Sequence, residues 1–281
     1  MIAHLHSSPS DFGAVTGALY GADPVLFTSE LTTLRTEPWP ADQVLLSVSN
    51  GGTVAGAAVQ IRESVLLVSG LPPDASRSAA DALASANAQL LGVRGTPANA
   101  TAFTRAWRAV TGVAARRSSE DVLYRLGALT PPTGVAGNWR LAADPDAELF
   151  EHWLDAFYVD AFGAEPNIEA NRGMLASVRA AGGHVLLWFA GDVPVSMARL
   201  HPAVLGTSRI GPVYTPSEHR GHGYAAAVTS AAAQFARDRG VSDVVLFADA
   251  ANAVSNGVYK RIGFVPVAEN VRYALSPDRR R

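Results

Sequence analysis

Glu218-His219-Arg220-Gly221-His222-Gly223-Tyr224-Ala225 runs directly into "AAVTSAAAQFARDRG", an alanine-rich stretch that ends at Gly240. Alanine is the best helix former, so the run predicts a helix from about 222 to 239 with Gly240 as its C-cap. Two glycines at the threshold of a helix cost backbone entropy, and their placement calls for a reason. A helix start offers unpaired N–H groups and the positive end of the helix dipole. Both favour an anion, and glycine lets a phosphate approach the backbone with no Cβ in the way. Arg220 adds a forked positive charge. With the strand "SRIGPVYT" before it, the loop reads as a phosphate cradle. A strand, a glycine turn and a helix also occur together for steric reasons alone. The residues downstream decide between these readings. Asn252, Ser255 or Asn256, and Tyr259 are spaced to share one helix face, polar and ending in a phenol.

The 281 residues suffice for two ordinary domains, and 48% hydrophobic content with 17% charged residues predicts a real core. A net charge of −2 gives no bulk attraction to nucleic acid or to an anionic membrane. The only basic run is Arg279-Arg280-Arg281, and Lys260 is the only lysine. The absence of cysteine excludes disulfides, thiolate metal sites and a cysteine nucleophile. The N-terminus "MIAHLHSSPSDFG" lacks the basic and apolar regions of a signal peptide, and no apolar run is long enough to cross a bilayer. The expectation is a soluble cytoplasmic protein.

Thr130-Pro131-Pro132-Thr133-Gly134 separates two patterned halves. Val44 to Val59 lies without gaps against Val185 to Leu200, each an apolar strand, a turn at Asn50-Gly51 or Gly191-Asp192, and a second strand. Residues 96–112 parallel 249–264, and each match leads to a closing strand, 122–126 or 271–275. This order predicts a duplicated α/β layout. In the second half, helices are expected at about 146–162, 167–181 and 252–262. Strands are expected at 184–190, 193–201, 207–214 and 243–248, with two strands closing the chain.

Over roughly 138–281 the chain resembles the GNAT superfamily of acetyl-CoA-dependent N-acetyltransferases. The pattern Arg/Gln-x-x-Gly-x-Gly/Ala is met by Arg220, Gly223 and Ala225, with Gly221 in its common place. The later Asn…(Ala/Ser)…Tyr…Gly-Phe pattern is met by Asn252, Ser255, Tyr259 and Gly263-Phe264. The resemblance implies two GNAT-like domains, each a mixed, mostly antiparallel sheet flanked by helices: residues 1–130 and residues 138–281. It implies that the loop Arg220, Gly221, His222, Gly223, Tyr224 and Ala225 binds the pyrophosphate of coenzyme A. The backbone of Val213 and Tyr214 would pair with the pantetheine arm, with Asn252 and its helix neighbours Ser255 and Asn256 lining the same site. Tyr259 would sit near the thioester sulfur as the acid. Its reference pKa of about 10, against about 8.5 for a thiol, keeps its proton available at neutral pH. The implied reaction is direct attack of a primary amine, of a small molecule or a peptide, on acetyl-CoA, with no metal. In the first half Ser76-Arg77-Ser78 replaces the glycines, Asp74 brings a negative charge, and no tyrosine lies opposite Tyr259. Residues 1–130 therefore read as a degenerate domain without a coenzyme A loop.

Glu218, Asp249, His184 and His201 are candidate general bases by type and position, and a water chain could serve instead. His222 faces solvent or the phosphates. The acceptor pocket would involve "FEHWLDAFYVDAFG" (150–163), where Phe150, Trp153 and Phe157 are core by spacing and Tyr158 and Asp160 could face the acceptor. Scattered charge favours a small or peptide amine over a nucleic-acid partner, on a monomer or homodimer. Two other classes share the cradle. One is a non-catalytic acyl-CoA sensor or scaffold. The other is a nucleotide-binding protein, but the loop lacks the lysine of Gly-x4-Gly-Lys-Ser/Thr.

Overall fold

A computed structural model describes residues 1–35, 43–61, 64–163 and 165–276. The Arg279-Arg280-Arg281 tail lies outside the described residues. In chain order the elements are β1 (Ile2–Leu5), α1 (Pro9–Gly21), α2 (Thr28–Thr33), β2 (Val44–Asn50), β3 (Thr53–Gln60), β4 (Leu66–Leu67), α3 (Ser76–Ser85), β5 (Gly92–Gly95), α4 (Pro97–Thr111) and β6 (Ala114–Leu126). There follow β7 (Asn138–Leu141), α5 (Ala147–Phe162), α6 (Ile168–Asn171), α7 (Met174–Ala180), β8 (His184–Ala190), β9 (Val193–Leu200), β10 (Thr207–Tyr214), α8 (Tyr224–Arg237), β11 (Asp243–Asp249), α9 (Ala253–Arg261) and β12 (Phe264–Ser276). This is the expected mixed α/β class, mostly antiparallel, with one parallel pair in each half: β4 with β5 and β10 with β11.

The chain divides into two compact units, and a single cut does not separate them. The first holds Met1–Leu123, Asp249–Ala251 and the C-terminal segment from Val267; the second holds Tyr124–Ala248 and Asn252–Pro266. In the first unit β12 lies antiparallel to β5, with Val271 opposite Gly95 and Ala274 opposite Gly92. In the second, the end of β6 runs beside β11, where Arg125 pairs with Asp243 at 2.5 Å. Each unit thus receives its closing strand from a segment that a midpoint division would give to the other half.

The duplication is visible in the hairpins, with a correction to its register. β2 and β3 are seven and eight residues long around Gly51-Gly52, and β8 and β9 have the same lengths around Gly191-Asp192. The pairing shifts between Val48 and Ser49 in one and between Trp188 and Phe189 in the other. Residue 44 therefore corresponds to 184, one residue off the sequence match. The first strands agree: Ile2 opposes Ser49 and Asn138 opposes Phe189. The turn in the first half falls on Gly51-Gly52 because both take positive φ, 58° and 86°, a conformation that suits glycine.

Three further expectations are corrected. The helix expected over 167–181 is broken, because Gly173 adopts φ 72° and donates its N–H to Glu151 Oε1 at 2.7 Å. α8 begins at Tyr224 rather than 222, since Gly221 and Gly223 are both left-handed, and it ends at Arg237 with Asp238 as its C-cap. Gly240 makes the left-handed turn beyond, at φ 79°. The chain closes in one thirteen-residue strand, not two.

The second unit's core explains how its helices are held. Phe150 and Leu154, one helical turn apart on α5, bury completely against Leu175 and Val178 of α7 and against Val185, Leu187 and Met197 of the sheet. Each such side chain contributes about 1.5–3 kcal/mol of burial. α8 covers the other sheet face with small residues, Ala227, Val228, Ala232 and Ala233, that let it approach closely. In the first unit Leu46, Val48, Leu66, Val68, Phe103 and Trp107 form the corresponding core.

Candidate active site

β10 and β11 pair in parallel only from Thr207–Ile210 against Asp243–Leu246. Beyond Ile210 a bulge re-registers β10 on β9, with Val213 opposite Ala198 and Tyr214 opposite Met197. β10 therefore keeps its partner on one side and leaves β11 on the other. A crevice between two parallel strands at their carboxyl ends is where α/β sheets hold ligands. The Tyr214 carbonyl is turned towards β9, where it accepts Ser196 Oγ at 3.0 Å. Successive strand residues alternate, so the Val213 N–H and C=O point towards the crevice. Of the two residues expected to pair with a pantetheine arm, Val213 has its backbone on the crevice side and Tyr214 has its carbonyl engaged by Ser196.

The loop after β10 leads into α8. Gly221 and Gly223 take φ 84° and 82°. A Cβ at Gly221 would meet nothing within 4 Å, whereas at Gly223 it would meet Val135 Cγ2 at 2.9 Å. Gly223 is the N-cap of α8, and no side chain caps the helix, so the first-turn N–H groups of Tyr224 and Ala225 have no intrahelical acceptor. The His222 ring stacks on Tyr224 at 5.4 Å and 14°, and its Nδ1 lies 3.3 Å from the His219 carbonyl. The Arg220 guanidinium donates to Thr215 O at 3.0 Å and to Asp160 Oδ2 at 2.6 Å. Asp160 thus meets the cradle's arginine, a contact invisible to sequence spacing.

The second motif sits on α9, which follows β11. Asn252 is the N-cap, its Oδ1 accepting Ser255 N–H at 2.9 Å. Asn256 returns its side-chain N–H to Asn252 O at 2.8 Å and accepts the Tyr124 hydroxyl at 2.8 Å. The Tyr124 ring lies 6.5 Å from that of Tyr259, and Phe264 lies 6.2 Å away on another side. The Tyr259 side chain is only partly covered at the surface, yet its hydroxyl sits deep enough for desolvation to push its pKa up to about 12. That hydroxyl makes no hydrogen bond among the described residues. A protonated donor without a partner is poised for a ligand atom. Sequence reading missed Tyr124, which is buried and fixes Asn256.

Gly263 has a tighter role than closing a motif. Its φ is 103°, and a Cβ there would fall 1.9 Å from the Ala128 carbonyl oxygen. Gly127 N–H donates to Gly263 O at 2.9 Å.

The candidate bases fare poorly. His184 faces α8, its ring 4.9 Å from Phe235. Asp249 accepts the Ala251 N–H at 2.8 Å, and the cap of α9 is Asn252. Glu218 is exposed, and hydrogen bonds from its own backbone N–H and from Ser217 hold its pKa down. His201 is held well below the usual histidine range by burial and by Arg209 and Arg199 beside it. No cluster of three or more His, Cys, Asp or Glu suited to a metal exists among the described residues. No helix among them is long and apolar enough to cross a membrane.

In the first unit the same crevice is closed. Val68 N–H reaches Arg94 O at 2.8 Å, so β4 stays beside β5. The next residue, Ser69, has its N–H taken by Glu30 Oε1 at 3.1 Å and its carbonyl by Asn99 Nδ2 at 2.8 Å. α3 starts at Ser76 after Asp74, with Ala75 as N-cap and no glycine turn.

Residues 147–264 match the acetyltransferase (GNAT) family. A mycothiol acetyltransferase of Salinispora tropica is 33% identical over 144 residues, which span 50% of this chain and 38% of that relative's length. The chain therefore accounts for well under half of the curated relative it matches. Among solved structures, a GNAT-family acetyltransferase from Colwellia psychrerythraea superposes with a TM-score of 0.63 over 98% of this chain and 100% of its own, at 10% identity. A tandem GNAT protein from the clavulanic acid biosynthesis pathway gives 0.61 over 98% of both chains, at 13% identity. At such identities these likenesses establish the fold.

Proposed function

Residues 147–264 form a GNAT-family acetyltransferase domain, and from that premise we propose that the chain transfers an acetyl group from acetyl-CoA to a primary amine by direct attack. One observation carries the reading: three unmet hydrogen-bonding features, a free strand edge at Val213, an uncapped glycine-led helix start at 221–225 and the unpartnered Tyr259 phenol, lie on β10 and on the helices that follow β10 and β11, one pair of parallel strands. The pyrophosphate would take the N–H groups of the 221–225 turn, with Arg220 adding charge. The pantetheine would add to the β10 edge at Val213. Asn252, Ser255 and Asn256 would line the arm from α9.

The amine nitrogen attacks the thioester carbonyl carbon, its extra proton passes to water, and the C–S bond breaks. The departing thiolate receives a hydrogen bond from Tyr259. Water is the proton acceptor in this scheme, since burial lowers the pKa of His184 and His201, hydrogen bonds lower that of Glu218, and Asp249 is taken up by the Ala251 N–H. The acceptor is a small molecule or a peptide amine. The first half, with Glu30 and Asn99 occupying both backbone groups of Ser69, holds no coenzyme A. Residues 138–281 contain the transfer site.

Calorimetry of the intact protein with acetyl-CoA should give a stoichiometry near one, abolished by Gly223→Glu. A stoichiometry of two, or binding that survives Gly223→Glu, sinks this arrangement. Thiol release with an amine panel separates a transferase from a non-catalytic acyl-CoA sensor.

A further inference from the structure

Opposite the β10 bulge, on the sheet face covered by α5 and α7, lie two arginines and a neutral histidine that the coenzyme A contacts do not use. Leu200 opposes Ile210 and Ala198 opposes Val213, so Arg199 stands across from the bulge residues themselves. On its other side Arg199 opposes Val185, whose side chain packs against Phe150 and Leu154 of α5. Directly opposed strand residues share a face, so Arg199 projects towards α5. His201, two residues on, and Arg209, which pairs with it, project the same way.

The three are not equivalent. His201 Nε2 lies 3.0 Å from Gly211 O, in the bulge, and 3.4 Å from Arg209 NH2. The shorter contact requires an N–H, so Nε2 donates to Gly211 and the buried Nδ1 is a bare acceptor without a partner among the described residues. The ring thereby ties the cluster to the point where β10 leaves β11. Arg199 differs from every other arginine described around the site. It makes no hydrogen bond or ion pair among the described residues, and its Nε is fully buried. Burial lowers its pKa, and the only group that opposes the shift is the Tyr158 phenol, not a carboxylate. Only its Nε is fully buried, so the two terminal nitrogens stay open to a ligand, and a half-buried guanidinium without a protein partner still costs stability. Its planar fork suits a carboxylate bound at two points.

We propose that Arg199 is the specificity-determining residue of the acceptor subsite, and that the acceptor is an amine carrying a carboxylate within a few bonds of its nitrogen, as in an amino acid. This rests on the acetyl-transfer reading and narrows it. The carboxylate lies on the Arg199 fork, and the amine then faces the thioester at the bulge. Arg209 and Arg199 together repel polycationic acceptors such as polyamines.

The test compares N-acetylated glycine, alanine, leucine and phenylalanine with the matching N-acetyl carboxamides, which have nearly the same shape without the charge. Binding to the intact protein is followed by calorimetry. At least one acid should bind about 10- to 100-fold more tightly than its amide, the range of a charged hydrogen-bonded pair. Arg199→Gln should erase that preference, while Arg199→Lys keeps part of it. Arg199→Met supplies a second readout: relief of the unpaired charge should raise the Tm, whereas loss of a structural arginine would lower it. No acid preferred over its amide in the wild type, a preference that survives Arg199→Gln, or a lowered Tm in Arg199→Met each overturns the proposal. Coenzyme A binding by the same samples reports the transferase reading separately. Its absence would sink that reading whatever the acids do, and its presence without an acid preference would sink only the subsite.

Discussion

Replacing Tyr259 with phenylalanine removes one oxygen and isolates what the phenol does. Its pKa of about 12 lies some 3.5 units above the roughly 8.5 of a free thiol, so complete proton transfer to the departing thiolate would be uphill by about 5 kcal/mol. The hydroxyl therefore acts by donating a hydrogen bond to developing negative charge. Such a bond to a charged group is worth about 1.5–3 kcal/mol, or about 10- to 150-fold in rate. Because the hydroxyl has no hydrogen-bond partner among the described residues, its removal should leave the Tm unchanged or slightly raised. Acetyl-CoA affinity should not change either, since the thioester sulfur carries little charge before it leaves. Single-turnover thiol release, with an acceptor from the amine screen, reads the chemical step between pH 6 and 10. Desolvation holds the tyrosine protonated through this range and beyond it, so the wild type should show no alkaline loss from phenol ionisation before about pH 12. Wild-type rates in the variant across that range would refute the reasoning. So would a Tm several degrees lower, which would reveal a structural partner.

Two other substitutions follow from particular distances. Gly263→Ala combines a φ of 103° with a methyl 1.9 Å from the Ala128 carbonyl oxygen, and should cost more than about 2 kcal/mol in a denaturant titration; a neutral result would mean that the 127–130 segment is free to move aside. Asp160→Asn frees Arg220 from its 2.6 Å partner and should tighten coenzyme A up to about fivefold at low salt, fading as salt rises. Weaker binding would show instead that Asp160 orients Arg220 for the ligand.

The features legible in the sequence were those with local causes. Gly221 and Gly223 mark the cradle because left-handed backbone selects glycine at the residue itself. Asn252, Asn256 and Tyr259 mark a helix face because helical spacing is local too. The one-residue error in the repeat arose because the apolar letters of the two hairpins match best at an offset that their turns do not share; Gly51-Gly52 set the true register. Gly173 gave a visible signal, but one glycine in a helical pattern does not say whether the helix bends, tolerates it or stops. Tyr124 and Arg199 were hidden for another reason. Each stands in an apolar strand pattern, and only pairing across the sheet shows what it faces. For Arg199 there was a faint sign: in "VSMARL" a charge occupies the same alternation as Met197, a position facing the core.

The exchange of closing strands has a consequence for how the protein is made. The edge of β5, from Gly92 to Gly95, is completed by β12, which follows every element of the second unit in the chain. On the ribosome the first half emerges early, but its sheet stays one strand short until β12, made after every other element of both units, is released. The half made first is thus the last to be finished. A stop codon just before Val267 would injure the N-terminal core while leaving the loop at 220–225 intact.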